Sequence, residues 1–405
     1  MTHSPVTRRS GLTLVEILIA MVMTLIVLFA MMEAFKYASG EMQRSRATIE
    51  LSNQLRAAQE LLRSDLEHMT LAPRPWTQTA LPKGYFEYVE SQNRDMVNAA
   101  SATDNYLGDV DDILAFTVNR PEQPFRGRYN GSIIESPMAE IVWWTNWDDR
   151  DGDNSIDFDE TVTLYRRVLL IRPDLNLSGN TPGATFFSNN DVSARVSGGN
   201  LVANRLEDLG YRSSRVARAS GSPFPHLLDR NLLDDYKMAA GGSATGDDVV
   251  LTNIAGFDIR VYSPTAAVRE DNNLVLQPGD VGFVAPPNIG TVPKKGAFVD
   301  LNHGGSGWFA GVPDPKSGLN ASVNAAYDTW TPLYEADGLT QNGSTDRATN
   351  GLDDDNANGV DDSGERDTMP PYPNAVRGLK VSFRLVEKNT KQLRQASIIH
   401  SFVPE

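Results

Sequence analysis

Two acidic runs carry residue types at a spacing that suits a hard cation. In the first, Asp149, Asp151, Asp153, Asp157 and Glu160 put carboxylates at loop positions 1, 3, 5, 9 and 12, the positions from which calcium loops supply oxygen ligands. Ile156 takes the apolar eighth position, and Asn154 stands where the turn glycine belongs; asparagine tolerates positive φ better than most residues. In the second, Asp354, Asn356, Asn358, Gly359 and Glu365 complete the D-x-[DN]-x-[DN]-G-x5-E pattern, with Asp361 where an apolar anchor is expected. Structural calcium is the expectation for these loops. The competing reading is a solvated acidic turn, because Asp, Asn and Gly are what turns use.

Other chemistry finds no support. The five histidines (His3, His68, His226, His303 and His400) show no metal-ligand spacing. With no cysteine in the chain, disulfides, thiolate zinc sites and cysteine nucleophiles are excluded. Gly304, Gly305 and Ser306 follow His303 but lack the strand-turn-helix setting of a nucleophile elbow. No phosphate-binding or dinucleotide fingerprint occurs, and no carboxylate pair stands out as catalytic. The chain is not expected to be an enzyme. Its net charge of −15 opposes binding to a phosphate backbone, so no nucleic-acid partner is expected.

The elements that must position these residues read as α+β. Hydrophobic residues make up 40% and charged residues 22% of 405, enough apolar content for real cores. Strand-period alternation marks Ile113–Val118, Ala139–Thr145, Thr161–Ile171, Gly256–Tyr262, Leu379–Val386 and Ala396–Val403. No helix alternates regularly with them, which favours an antiparallel arrangement over βαβ winding. The first acidic run then joins two strands as a hairpin. Residues 173–247 and 264–373 are rich in Gly, Asn, Ser and Pro and read as large loop insertions. Within the first, Leu201–Leu209 and His226–Met238 are candidate short helices.

The N-terminus is the most specific part. Leu12 to Met32 is an apolar run with one charge, Glu16. As a helix it spans about 31 Å, enough for a bilayer core. Arg8 and Arg9 precede it and orient the C-terminus outward. An ordinary signal peptide has a shorter core and no internal carboxylate, although residues 37–40 offer it a small-residue cleavage site. A plain signal anchor leaves Glu16 unexplained, since a carboxylate in the bilayer costs kilocalories unless paired. Helical periodicity continues to about Met69, where Pro73 and Pro75 end it. Leu51, Leu55, Ala58, Leu62, Leu66 and Met69 form one apolar stripe, with Arg56, Glu60, Arg63, Asp65 and Glu67 assigned to the opposite face. The rod from Leu12 to Met69 is roughly 87 Å long, and Gly40 is the expected place for a bend or a local melt.

Gly11-Leu12-Thr13-Leu14-Val15-Glu16 resembles the cleavage and methylation motif of type IV prepilins and type II secretion pseudopilins. The resemblance implies a leader at 1–11, cleavage by prepilin peptidase between Gly11 and Leu12, and N-methylation of Leu12. It also implies a membrane and assembly helix over 12–35, an amphipathic continuation over 36–70 and a globular domain over 76–405. Glu16, at mature position five, pairs in that family with the N-terminal ammonium of a neighbouring subunit during assembly. The departure is Leu12, where phenylalanine is usual. Arg56 to Met69 and the strand order resemble the J-type minor pseudopilins and W-type minor pilins, although this chain is longer. The fold implied is pilin-like, a long N-terminal helix packed on antiparallel sheet.

The function implied is a minor subunit at or near the tip of a secretion pseudopilus or type IV pilus. Its partners are other minor and major subunits, the prepilin peptidase and an inner-membrane assembly platform. Its location is the inner membrane, single-pass, with the C-terminal domain in the periplasm. The alternative is a pilus-tip adhesin or ligand-binding protein using the insertions, where Trp308, Trp330 and Tyr334 would serve as contacts.

Overall fold

The computed structural model describes residues 13–73, 83–91, 108–147, 160–218, 228, 230–237, 248–271, 274–278, 294–301, 324–329, 351–360, 376–388 and 390–402. In chain order these form α1 (Leu14–Glu67), β1 (Phe86–Ser91), β2 (Ile113–Asn119), β3 (Phe125–Tyr129), β4 (Ser132–Ser136), β5 (Met138–Trp147) and β6 (Val162–Leu170). There follow α2 (Ala184–Phe187), β7 (Ala194–Ser197), β8 (Asn200–Ala203) and α3 (Arg230–Asp235). The rest is strand: β9 (Val249–Thr252), β10 (Ile254–Asp271), β11 (Leu274–Leu276), β12 (Lys294–Val299), β13 (Asn324–Asp328), β14 (Gly378–Glu387) and β15 (Gln392–Ser401). All six strands expected from alternation are present, so the class is α+β with antiparallel sheets.

One sheet runs β13-β1-β2-β5-β6-β9, and the other β11-β10-β14-β15 with β12 also on β10. The pairings are antiparallel throughout. The first sheet is covered on both faces. Leu114, Phe116, Ile141 and Trp143 point into a core shared with α1 and the second sheet. Their neighbours Ile113, Ala115, Val142 and Trp144 point into a second core, closed by Phe186, Phe187, Leu201, Leu209, Val216 and Tyr236 from residues 173–247. Double coverage is why β2 and β5 read as nearly continuous apolar runs rather than strict alternations.

Helix α1 is one unbroken helix of 54 residues, about 81 Å long. It continues through Gly40, so the chain does not melt there. A single interior glycine costs only about 1 kcal/mol against alanine, little in a helix of this length. Leu51, Leu55, Ala58, Leu62 and Leu66 are buried in the shared core, and the helix lies over β15, β14 and β9. After α1 the chain stays with the first sheet: Thr70 N donates to the Thr117 carbonyl at 3.0 Å, and Asn119 N to the His68 carbonyl at 2.9 Å.

The stretches set apart as insertions carry regular structure. Residues 173–247 supply the β7-β8 hairpin and the lid of the second core. Leu201–Leu209 is not a helix: β8 occupies its start and a 3₁₀ turn, Asp208–Gly210, its end. Pairing of β8 with β7 outweighs its local helical pattern. Helix α3 falls within His226–Met238. From 264–373 come the end of β10 and strands β11, β12 and β13, which join the two main sheets.

Candidate functional site

The N-terminal half of α1 presents a long apolar surface with a single carboxylate near its tip. Every residue from Thr13 to Ser39 is exposed, including Leu14, Ile17, Leu18, Met21, Leu25, Leu28 and Phe29. This helix is long and apolar enough to cross a membrane. An exposed apolar surface of that extent needs lipid or neighbouring helices to cover it.

Glu16 sits in the first turn and forms a capping box with Thr13. Its Oε2 accepts from Thr13 N at 2.8 Å and from Thr13 Oγ1 at 2.9 Å, while Glu16 N donates to Thr13 Oγ1 at 3.3 Å. The carboxylate thus stands at the positive end of the helix dipole, turned toward the residue that follows Leu12. Gly11 and Leu12 themselves lie outside the described residues.

Where α1 enters the globular part, polar chemistry replaces apolar packing. Asp65, assigned above to the face opposite the apolar stripe, is fully buried. It falls three residues after Leu62 and one before Leu66, so it flanks the apolar stripe instead of opposing it. Its Oδ1 accepts from Arg120 Nη2 and Arg166 Nη2, both at 2.8 Å. Its Oδ2 accepts from Arg166 Nε at 2.7 Å and Trp143 Nε1 at 3.1 Å. The bidentate Arg166 fork and the indole fix the helix against β5 and β6.

A second buried network ties the 204–218 segment to the edge of the first sheet. Asp328 on β13 accepts from Arg212 Nε at 2.6 Å and Arg215 Nη1 at 2.9 Å. Glu87 on β1 accepts from Arg215 Nη1 at 3.1 Å and also from Arg218 Nη2. Arg215 further donates to the carbonyls of Leu209 and Gly210 and stacks over the Tyr85 ring at 4.2 Å. Burial opposes ionisation of Asp328, but Arg215 and Arg212 outweigh it and hold its carboxyl below the usual range. A folded-state value below the unfolded one means that this carboxylate stabilises the fold above pH of about 3.9. The stability is lost as pH falls through the folded value. Urea titrations are therefore expected to show a midpoint that drops below about pH 4, with a weaker drop in Asp328→Asn.

Most of the predicted calcium residues lie outside the described residues. Asp149, Asp151, Asp153 and Asp157 lie outside them, and Glu160 is buried two residues before β6. Asp354, Asn356 and Asn358 belong to an exposed loop in which both asparagines take positive φ; Glu365 lies outside. Trp308, Trp330 and Tyr334 also lie outside. The acidic residues that do converge are Glu90, Asp109 and Asp112, which no spacing rule singles out, because Glu90 is separated from the other two by a long connection. No protein-family model, curated protein or solved structure matches the chain.

Proposed function

We propose that the chain is a type IV pilin-like subunit of the minor class, resembling J-type minor pseudopilins and W-type minor pilins, anchored by α1 and assembled at or near the tip of a secretion pseudopilus or pilus. The supporting observation is the division of one continuous helix. Its first half is wholly exposed and, from Leu14 to Met32, apolar with Glu16 as the one charge, and its second half is built into the core of an antiparallel domain. Such a helix suits a subunit that waits in a membrane and then packs among copies of similar helices.

Glu16 gives that transfer a direction. Among the described residues its carboxylate is satisfied by Thr13, and in lipid it remains costly. Among helices of neighbouring subunits an N-terminal ammonium supplies the opposite charge, so the cost of the carboxylate favours assembly. The six-stranded sheet, covered on both faces, makes a bulky head for a lattice repeated along a fibre and suits a low-copy position. Partners on this reading are other minor and major subunits, the prepilin peptidase and an inner-membrane assembly platform.

The mass of the protein extracted from membranes tests the reading. It is expected to begin at Leu12 and to carry one added methyl group. An intact N-terminus, or one beginning near Glu41, would overturn the proposal. Glu16→Leu is expected to leave processing intact and to abolish co-purification with neighbouring subunits.

A further inference from the structure

The buried carboxylates of this protein are matched by donors almost wherever they occur. Asp65 has two arginines and an indole. Asp328 and Glu87 share three arginines. Glu140 accepts from Tyr85, Ser193 and the Val216 amide. A cluster at the seam between the two sheets is matched less completely: Asp109 Oδ1 accepts from the Asp111 amide at 3.3 Å, and Asp112 keeps one oxygen without a donor among the described residues.

Glu90 projects from β1, and Asp109 and Asp112 from the segment that leads into β2. That segment is laced to β10: Gly108 N donates to the Ala255 carbonyl at 2.6 Å, and Phe257 N to the Asp109 carbonyl at 2.7 Å. Residues after β12 close the far side, where Leu301 N approaches Glu90 Oε2 at 3.4 Å. Glu90 and Asp112 are 0% exposed and Asp109 is 7% exposed. One oxygen from each of the three lies within 4.8 Å of the others. Oxygens around a calcium ion sit 2.3–2.6 Å from it, so two of them on opposite sides are at most about 5 Å apart.

Among the described residues, the nearby cation Arg260 makes its ion pairs with other carboxylates. Arg260 Nε stands 3.0 Å from both Asp258 Oδ1 and Asp300 Oδ1. Among the described residues neither Asp109 nor Asp112 has a lysine or arginine ion-pair partner. An independent sign of a missing ligand comes from Asp112. Its Oδ2 accepts from the Ile259 amide at 2.6 Å, while its Oδ1 is buried with no hydrogen-bond donor among the described residues. The Tyr88 hydroxyl adds little relief. It approaches Glu90 Oε2, the Ile259 carbonyl and Asp112 Oδ2 with one proton for three acceptors.

We infer that Glu90, Asp109 and Asp112 hold a divalent cation, calcium by preference, that fastens β1 and the entry to β2 onto β10 and β12. A set made of oxygen atoms, without histidine or cysteine, selects a hard ion. Its depth and carboxylate density suit calcium over magnesium, which retains several of its waters. Burial, reinforced by the neighbouring carboxylates, pushes Asp109 and Asp112 well above the usual range, the response of buried acids crowded by other acids.

Calcium titration of the full-length protein in detergent, stripped with chelator, tests the assignment. Saturable binding is expected. The melting temperature should rise by roughly 5 °C at a hundredfold excess of calcium over its dissociation constant. Asp112→Asn keeps the acceptor for the Ile259 amide and removes one repelling charge. It is expected to melt higher than the parent in chelator and to lose the calcium-dependent rise. Asp151→Asn with Asp153→Asn, and separately Asp354→Asn, are expected to keep that rise. A melt unaffected by calcium would overturn the inference, with the cluster then held by shared protons. A rise that survives Asp112→Asn and vanishes in either loop variant would equally overturn it and place the ion in that loop.

Discussion

Replacing Asp65 with alanine is expected to destabilise the folded chain by about 3–5 kcal/mol, the usual effect of breaking a buried ion pair by removing one partner. The carboxylate is fully buried and receives four hydrogen bonds, three of them from guanidinium groups. Its arginines are nearly as sheltered, at 13% and 14% side-chain exposure, so solvent does little to restore what the mutation removes. Arg166, Arg120 and the Trp143 indole would be left with unmet donors beneath the helix. Chemical denaturation of the full-length protein in detergent measures the loss, and hydrogen exchange over residues 58–69 locates it at the helix. A change below about 1 kcal/mol would mean that the Leu51-to-Leu66 stripe alone docks the helix. Asp65→Asn retains two acceptor positions and is expected to fall between the parent and the alanine variant.

Arg215→Met is expected to cost about 3 kcal/mol or more, again by leaving buried charge without its partner. Arg215 is the only one of its three arginines that touches both Glu87 and Asp328, and it also satisfies two carbonyls of the 3₁₀ turn before it. Arg212 and Arg218 would retain one acid each. Methionine fills the space of the aliphatic stem and keeps contact with Tyr85, so the loss reports charge and hydrogen bonding more than cavity formation. The effect should be local: proteolysis is expected to accelerate within 204–218 while β10, β14 and β15 resist. The double variant with Asp328→Asn should be less destabilised than the sum of the single ones, because both remove parts of one network. Full additivity would argue that the segment is held by its apolar residues, Leu209 and Val216.

Much of the fold was legible because it rests on local regularities. The period of 3.6 in Leu51, Leu55, Ala58, Leu62 and Leu66 and the period of 2 in Leu379, Val381, Phe383 and Leu385 both correspond to buried faces. Segments covered on both faces were legible as strands but not as double-sided ones, since an apolar run such as Ile141 to Trp144 does not say what covers it. Residues 173–247 and 264–373 read as loops because Gly, Asn and Pro interrupt their short strands. Their role as lid and as added strands depends on pairing with distant segments.

The charged interior was misread for the same reason. On a helical wheel Asp65 is a marginal position, and its burial is decided by Arg166, 101 residues away. Arg215 meets Asp328 across 113 residues, and Asp112 meets the Ile259 amide across 147. Glu90, Asp109 and Asp112, the acids that converge among the described residues, likewise share no pattern in sequence.

The amino-acid sequence by itself determined the N-terminal motif around Gly11, Leu12 and Glu16, the long helix, the strand positions and the antiparallel class. These follow from short-range periodicity, capping and composition, which a chain carries wherever it folds. Only the tertiary structure decided which charges are buried, which of them are matched, and that Glu90, Asp109 and Asp112 meet at the seam of two sheets. The free energy of a buried carboxylate depends on its neighbours through a low-dielectric interior, and those neighbours are chosen by sheet pairing and helix docking over separations of a hundred residues or more.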